Sequence, residues 1–286
     1  MTAPGPSDHA GPAPPDRMAA TRASYDAVAS GYAEAISDEL RHKPLDRALL
    51  TAFAEQVRLA VRARRGDPTE PSAHGGALRP PVPPGRVWDV GCGPGHVTAF
   101  LAGLGLEAAG IDLSTQMVAQ ARARHPGLEF RCGSMTALPS GDGEWDGLVS
   151  FYSLIHMIDD ADLRAALAEY RRVLADQGLL LLAVHAGQEV RHSTEWFGAA
   201  VDVSFRFFDP GRLAAELDRA GFAIEAVTRR QPYPGVEVAT ERAYFLARAA
   251  PARPGASAVP AGEGHGHADP DHGQAAEAAD RLAPPR

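Results

Sequence analysis

Apolar residues recur at helical spacing over residues 22–36 and 44–64, two Ala-, Leu- and Arg-rich stretches. The period predicts two helices, the second opened by Pro44 at a position suited to a first turn. Beyond residue 86 short apolar runs alternate with longer periodic segments. They predict strands over 87–90, 107–111, 128–132, 145–150 and 179–185, and helices over 95–103, 114–124 and 160–174. Asp209 and Pro210 supply an N-cap and an N1 proline for a helix over 210–220, which Gly221 can end. Residues 222–229 and 241–248 then read as an antiparallel pair joined by a loop containing Pro232, Pro234 and Gly235. Strands alternating with helices in this way demand right-handed crossovers. The expected fold class is therefore α/β, a doubly wound, mostly parallel seven-stranded sheet with N-terminal cap helices over 21–65.

Three segments interrupt the pattern. Residues 1–20, 66–85 and 250–286 are rich in Pro, Gly and Ala, and the expectation is that they do not pack. That leaves 86–249 as the main domain. His265, His267 and His272 stand near Asp269 and Asp271 in the tail, but without a fold to fix their geometry solvation is the simpler expectation than metal binding.

Composition narrows the partners. With 45% apolar and 22% charged residues in 286, the chain can bury a core. A formal charge of −8 and the absence of a basic stripe argue against nucleic acid. No apolar run reaches membrane-spanning length, and residues 1–20 lack the apolar core of a secretory signal. Cys92 and Cys132, the only cysteines, cannot build a disulfide framework. A cytoplasmic protein is expected.

Between the first predicted strand and helix lies "DVGCGPG", residues 89–95. A ligand at such a turn meets backbone N–H groups and a positive helix end. Gly91 and Gly93 allow close approach and unusual dihedrals. A dinucleotide fingerprint would put its third glycine at 96, where His96 stands; the third glycine falls instead at 95. Asp89 suits a cationic amino group better than a pyrophosphate, which it would repel. Asp112, ending the second strand in "GIDLS", can accept hydrogen bonds from two ribose hydroxyls.

On these residues the chain resembles the class I S-adenosylmethionine (SAM) methyltransferases of the small bacterial kind. The matching text is "VWDVGCGPGHVTAFLA", "AAGIDLSTQMVAQAR", "FRCGSMTALP", "WDGLVSFYSLIHMIDD" and "RRVLADQGLLLLAVH", preceded by "SYDAVASGYAEAISDEL", which resembles the helix closing over the cofactor. The resemblance implies a Rossmann-like fold and SAM as cofactor. Asp89 and the backbone around Gly91, Cys92 and Gly93 would hold the methionine end, Asp112 the ribose, and Leu113 and Met135 the two faces of the adenine. Tyr25 would reach the SAM carboxylate and Phe151 would lie beneath the sulfonium. Ser134 stands where the family often has Asp, so its adenine contact would lack charge.

The implied activity is methyl transfer to a small-molecule acceptor with an O, N or C nucleophile, without a metal. His156, after "SFYSLI", is the candidate general base, or a residue that organises its loop; Tyr152 carries the same two readings. "SFYS" replaces the Pro-Pro-aromatic signature of DNA amino-methylating relatives, which again speaks against nucleic acid. Trp196, Phe197, Phe205 and Phe207 are expected in a core or lid, where a substrate pocket would draw on them. Two alternatives stay open at this level: an NAD(P)-dependent oxidoreductase on a related sheet, and a catalytically silent SAM-binding module.

Overall fold

The computed structural model describes residues 16–65 and 84–251. The histidine-bearing tail and most of the three segments expected not to pack lie outside the described residues. Among the described residues are helices α1 (Arg17–Ile36), α2 (Pro44–Arg64), α3 (His96–Gly103), α4 (Thr115–Arg124), α5 (Asp160–Val173) and α6 (Pro210–Arg219). The strands are β1 (Arg86–Val90), β2 (Glu107–Asp112), β3 (Glu129–Cys132), β4 (Trp145–Phe151), β5 (Leu174–His185), β6 (Val190–Trp196), β7 (Ala199–Arg206), β8 (Phe222–Arg230) and β9 (Arg242–Ala249). Seven form one sheet in the order β3-β2-β1-β4-β5-β9-β8. β1 to β5 are parallel, and β9 is antiparallel to both its neighbours. The expected fold class is the one observed.

Both faces of the sheet are covered, which explains the unbroken apolar run in β5. Leu179 and Leu181 pack with Leu50, Phe53 and Val57 of α2 and Leu101 of α3. Leu180 and Leu182 face the opposite way, into a cluster with Leu163 and Leu167 of α5 and Leu213 and Leu217 of α6. Consecutive leucines thus serve alternate faces. Gly147 in β4 is a close-approach position: a Cβ there would meet Phe53 at 2.8 Å and Val57 at 2.9 Å, so glycine sets how deeply α2 seats.

Two regions depart from the sequence reading. Helix α1 begins at Arg17, inside the stretch expected not to pack, because Asp16 caps it by accepting from the Ala19 N–H at 3.1 Å. Residues 190–206, read only as a lid or core segment, form the antiparallel hairpin β6–β7. Its turn is Phe197-Gly198, both at positive φ (50° and 73°).

The hairpin and α1 pack on each other above the carboxyl ends of the strands. Asp26 anchors α1 by accepting from the Ser114 hydroxyl at 2.6 Å and the Gln116 N–H at 3.0 Å, at the start of α4. Beneath them the strand order reverses between β1 and β4, the place where open α/β sheets bind ligands.

Candidate active site

β1 leads into a turn whose glycines, Gly91, Gly93 and Gly95, all have positive φ (76°, 51° and 84°). The N–H groups of Gly91 and Cys92 donate to Ile111 O at 2.8 and 3.0 Å, tying the turn to β2. Gly93 N–H donates to Asp112 Oδ2 and Ser114 N–H to Oδ1, both at 2.8 Å, so the Asp112 carboxylate is fixed from two sides. Asp89 is buried, accepts from the Thr98 hydroxyl at 2.7 Å, and has no ion-pair partner among the described residues. Burial raises both carboxyls to about 6.

A cavity of about 190 Å³ opens at this turn. It is lined by Tyr25, Asp89, Gly91, Cys92, Gly93, Asp112, Leu113, Met135, Phe151, Tyr152 and His156, so eleven of the residues singled out in the sequence converge on one space. Ser134 does not line it; its hydroxyl is spent locally on the Thr136 hydroxyl (2.8 Å) and N–H (3.2 Å), and Gly133 and Met135 form the wall instead. The Cys92 thiol is pushed up by burial and remains protonated, which makes it a small packing residue of the turn.

Tyr25 and His156 meet. The Nδ1 of His156 faces Ser204 O, which can only accept, at 3.2 Å, so Nδ1 carries the hydrogen and Nε2 accepts from the Tyr25 hydroxyl at 3.0 Å. Burial lowers His156 to about 4, leaving it neutral near pH 7. Tyr152 lines the cavity with its ring, while its hydroxyl is bonded to Tyr244 at 2.8 Å, inside a buried set with Asp46 and Arg230. Its backbone has a positive φ of 54°.

The sequence reading named Trp196 and Phe205, which line the cavity, but passed over Tyr32, Glu39 and Lys43. Tyr32, one helical step of seven residues from Tyr25, is the nearest side chain to Gly93, 3.9 Å from where a Cβ would sit. Tyr25, Tyr32 and Trp196 pack edge to face with centroids 5.2–5.7 Å apart. Among the described residues the buried Trp196 indole N–H has no partner. Glu39 joins His96 (3.0 Å) and Lys43 (2.7 Å); burial alone would raise its carboxyl, but these two partners bring it down to about 2. The i, i+7 tyrosine pair was the available signal; the others depend on contacts far apart in the chain.

A doubly wound sheet with a glycine turn and two carboxylates at its switch point, Asp89 buried and Asp112 half-buried, defines a Rossmann-like domain. Residues 87–178 match the family described as "Methyltransferase domain". Over 105 residues the chain is 37% identical to an O-methyltransferase of Penicillium expansum, covering 34% of this chain and 37% of that protein. A probable S-adenosylmethionine-dependent methyltransferase of Mycolicibacterium smegmatis is 32% identical over 139 residues, covering 49% and 52%. The chain thus spans about half or less of the length of these relatives. A SAM-dependent methyltransferase structure from Methanosarcina mazei shares the fold, with a TM-score of 0.53 at 19% identity, covering 59% of this chain and 93% of that one. Residues 87–178 thus match a methyltransferase domain on a Rossmann-like fold, and S-adenosylmethionine is the cofactor that the names of its relatives print. The residues present fit that molecule: a buried carboxylate without a cation at Asp89, and a second with both oxygens pinned at Asp112. Among the described residues no helix is long and apolar enough to cross a membrane.

Proposed function

We propose that this chain transfers the methyl group to a small-molecule acceptor by in-line displacement, in the cytoplasm. The observation that carries the acceptor class is the roof: Tyr25 and Tyr32 of α1 and Trp196 and Phe205 of the hairpin enclose the cavity beyond the cofactor turn. A folded macromolecule would have to displace them, whereas a small molecule is surrounded.

Bound SAM supplies a methyl group already activated on a sulfonium. The chain's task is then to align a nucleophile and exclude water, for which positioning contributes up to ~7–11 kcal/mol in favourable cases. Asp89 would pair with the ammonium of the methionine part, Asp112 would accept from the ribose hydroxyls, and Leu113 and Met135 would pack on the adenine. Phe151 would lie at the sulfonium end.

For a hydroxyl acceptor, Tyr25 is the group that meets the nucleophile. Its hydrogen is directed to His156 Nε2, which leaves the phenolic oxygen free to accept. During transfer the acceptor proton would pass to Tyr25 and the Tyr25 proton to His156. His156 acts through Tyr25 in this reading, and Ser204 O holds the imidazole for it.

Titration with SAM, S-adenosylhomocysteine and NAD, followed by transfer from methyl-labelled SAM to a small-molecule panel, tests the proposal. Binding of NAD in preference to SAM, or no labelled product across a broad panel, would overturn it. Asp112→Ala is expected to weaken SAM binding about tenfold to a hundredfold, read by calorimetry. His156→Phe should leave SAM affinity within about twofold while turnover on a hydroxyl acceptor falls about a hundredfold. Because His156 is neutral well below pH 6, the wild-type rate should show no limb from this group between pH 6 and 8.

A further inference from the structure

The carboxyl edge of the sheet carries more than the cofactor turn. Following the strand order, Asp112 ends β2, Gly91 and Gly93 follow β1, Phe151 and Tyr152 close β4, His185 ends β5, and Arg242 opens β9. His185 and Arg242 are register partners, and both line the same cavity. At about 4.8 Å per strand, they stand roughly 10–15 Å past the glycine turn, on the side away from Asp112. Lys43, just before α2, lines this end too.

Among the described residues, the hydrogen bonds here leave donors unspent. Arg242 is 2% exposed; its terminal nitrogens donate to the Thr240 carbonyl and hydroxyl and to Val238 O, and pair with Glu237, while its Nε–H has no acceptor. Thr240 Oγ1 accepts from Arg242, and among the described residues His185 Nδ1, at 2.7 Å, is the acceptor that satisfies its own hydrogen. With that assignment the hydrogen of neutral His185 sits on Nε2. Burial, then the nearby Arg242 and Lys43 cations, hold His185 well below the usual histidine range.

The carboxylates nearby are already taken. Asp46 accepts from Tyr244 and Arg230, both at 2.9 Å. Glu237 accepts from Arg230 and from the Tyr233 N–H at 2.8 Å, with Lys43 at 3.6 Å. Lys43 Nζ is bonded to Glu39 at 2.7 Å and keeps further donor capacity.

We propose that this end of the cavity receives a carboxylate of the acceptor, held by His185 Nε2–H and Lys43 beside the buried Arg242 guanidinium, so that the enzyme methylates acidic small molecules. The inference rests on the methyltransferase reading above. The walls between are Phe151, Tyr152, Val236 and Val238, which fit an aromatic or otherwise apolar body behind the carboxylate. A cationic amine would meet these donors, and Glu39 and Glu237, carboxylates that line the cavity, are already paired with Lys43, Arg230 and Arg242.

The test uses the full chain saturated with S-adenosylhomocysteine, titrated with benzoate, salicylate and indole-3-acetate, with their carboxamides, and with the matching amines. At least one acid is expected to bind about tenfold or more tightly than its carboxamide, with no binding by the amines. His185→Phe should remove most of that preference, and Lys43→Met should do the same. Thermal melts identify a variant that fails to fold, and the other variant then carries the test. Acids binding no better than carboxamides, a preference intact in the folded variants, or no acid binding at millimolar concentration would each overturn the proposal. Since binding is read without turnover, an absence of methyl transfer counts against the earlier reading alone.

Discussion

Alanine in place of Gly91 is expected to abolish SAM binding and to lower folding stability by roughly 2–5 kcal/mol. The backbone there has φ +76°, a left-handed conformation that a Cβ strains by about 1–2 kcal/mol. The new Cβ would also overlap Ser153 Cβ, well inside van der Waals contact. Turning the Ser153 side chain does not relieve this, because the overlapping atom lies on the backbone side of the rotatable bond. Ser153 is itself pinned, donating to Val90 O at 2.6 Å and sharing a 2.8 Å bond with Ser150. The turn would have to move, carrying with it the N–H of Gly93 that orients Asp112.

Gly93→Ala is the informative contrast. Its Cβ would have only Tyr32 within 4 Å, at 3.9 Å, so the cofactor-free protein should lose only the conformational part. Adding Ser153→Gly to Gly91→Ala should relieve the overlap but not the strained dihedral. Urea unfolding midpoints together with calorimetric titration separate the two contributions. Gly91→Ala with wild-type midpoint and affinity would show the close approach to Ser153 to be wrong.

The sheet and its cofactor edge were legible because their signals are local. The leucine run at 179–182, the capped helix after Asp209 and the glycine turn each declare themselves within a dozen residues. The β6–β7 hairpin was harder. Val201, Val203, Phe205 and Phe207 alternate cleanly as buried positions, but in β6 a bulge between Ser193 and Glu195 shifts the phase. Ser193 and Trp196 both turn inward three residues apart, which no strand period predicts.

At the site, the residues of the turn could be named, while their partners could not. Tyr25 and His156 are 131 residues apart in the chain, and Tyr152, Tyr244 and Asp46 come from three separate elements. Such pairings exist only once the sheet order and the roof helix are in place. For the same reason His185 and Arg242 carry no signal in the sequence: one ends β5, the other begins β9 more than fifty residues later, and register alone brings them together.

SAM affinity is expected to fall about a hundredfold when pH is lowered from 7 to 5. Asp89 and Asp112 are both raised by burial to about 6, so at pH 5 each is ionised in only about a tenth of the molecules. The ligand's α-ammonium and α-carboxylate, with ordinary values of about 7.7–8.0 and 3.3–3.7, change little in that window. An ammonium pairs with an ionised Asp89 and not with a protonated one, so binding at pH 5 must expel its proton. If Asp112 must also be ionised to hold the ribose, the two tenfold losses multiply. Proton release counted by calorimetry in two buffers should approach two per SAM at pH 5 and fall towards zero above pH 7.

Unfolding does not produce the same trend through these groups. A carboxyl whose folded value lies above its unfolded one stabilises the cofactor-free chain below about 4, and that contribution is lost as pH rises through 6. Acidification therefore stabilises the cofactor-free fold through Asp89 and Asp112 while it weakens their hold on a cation. Asp112→Asn isolates the two: the remaining pH dependence should be about tenfold and belong to Asp89. An affinity that stays flat from pH 7 to 5 in the wild-type protein would mean that neither carboxyl meets the cofactor, and the assignment of the turn would fall with it.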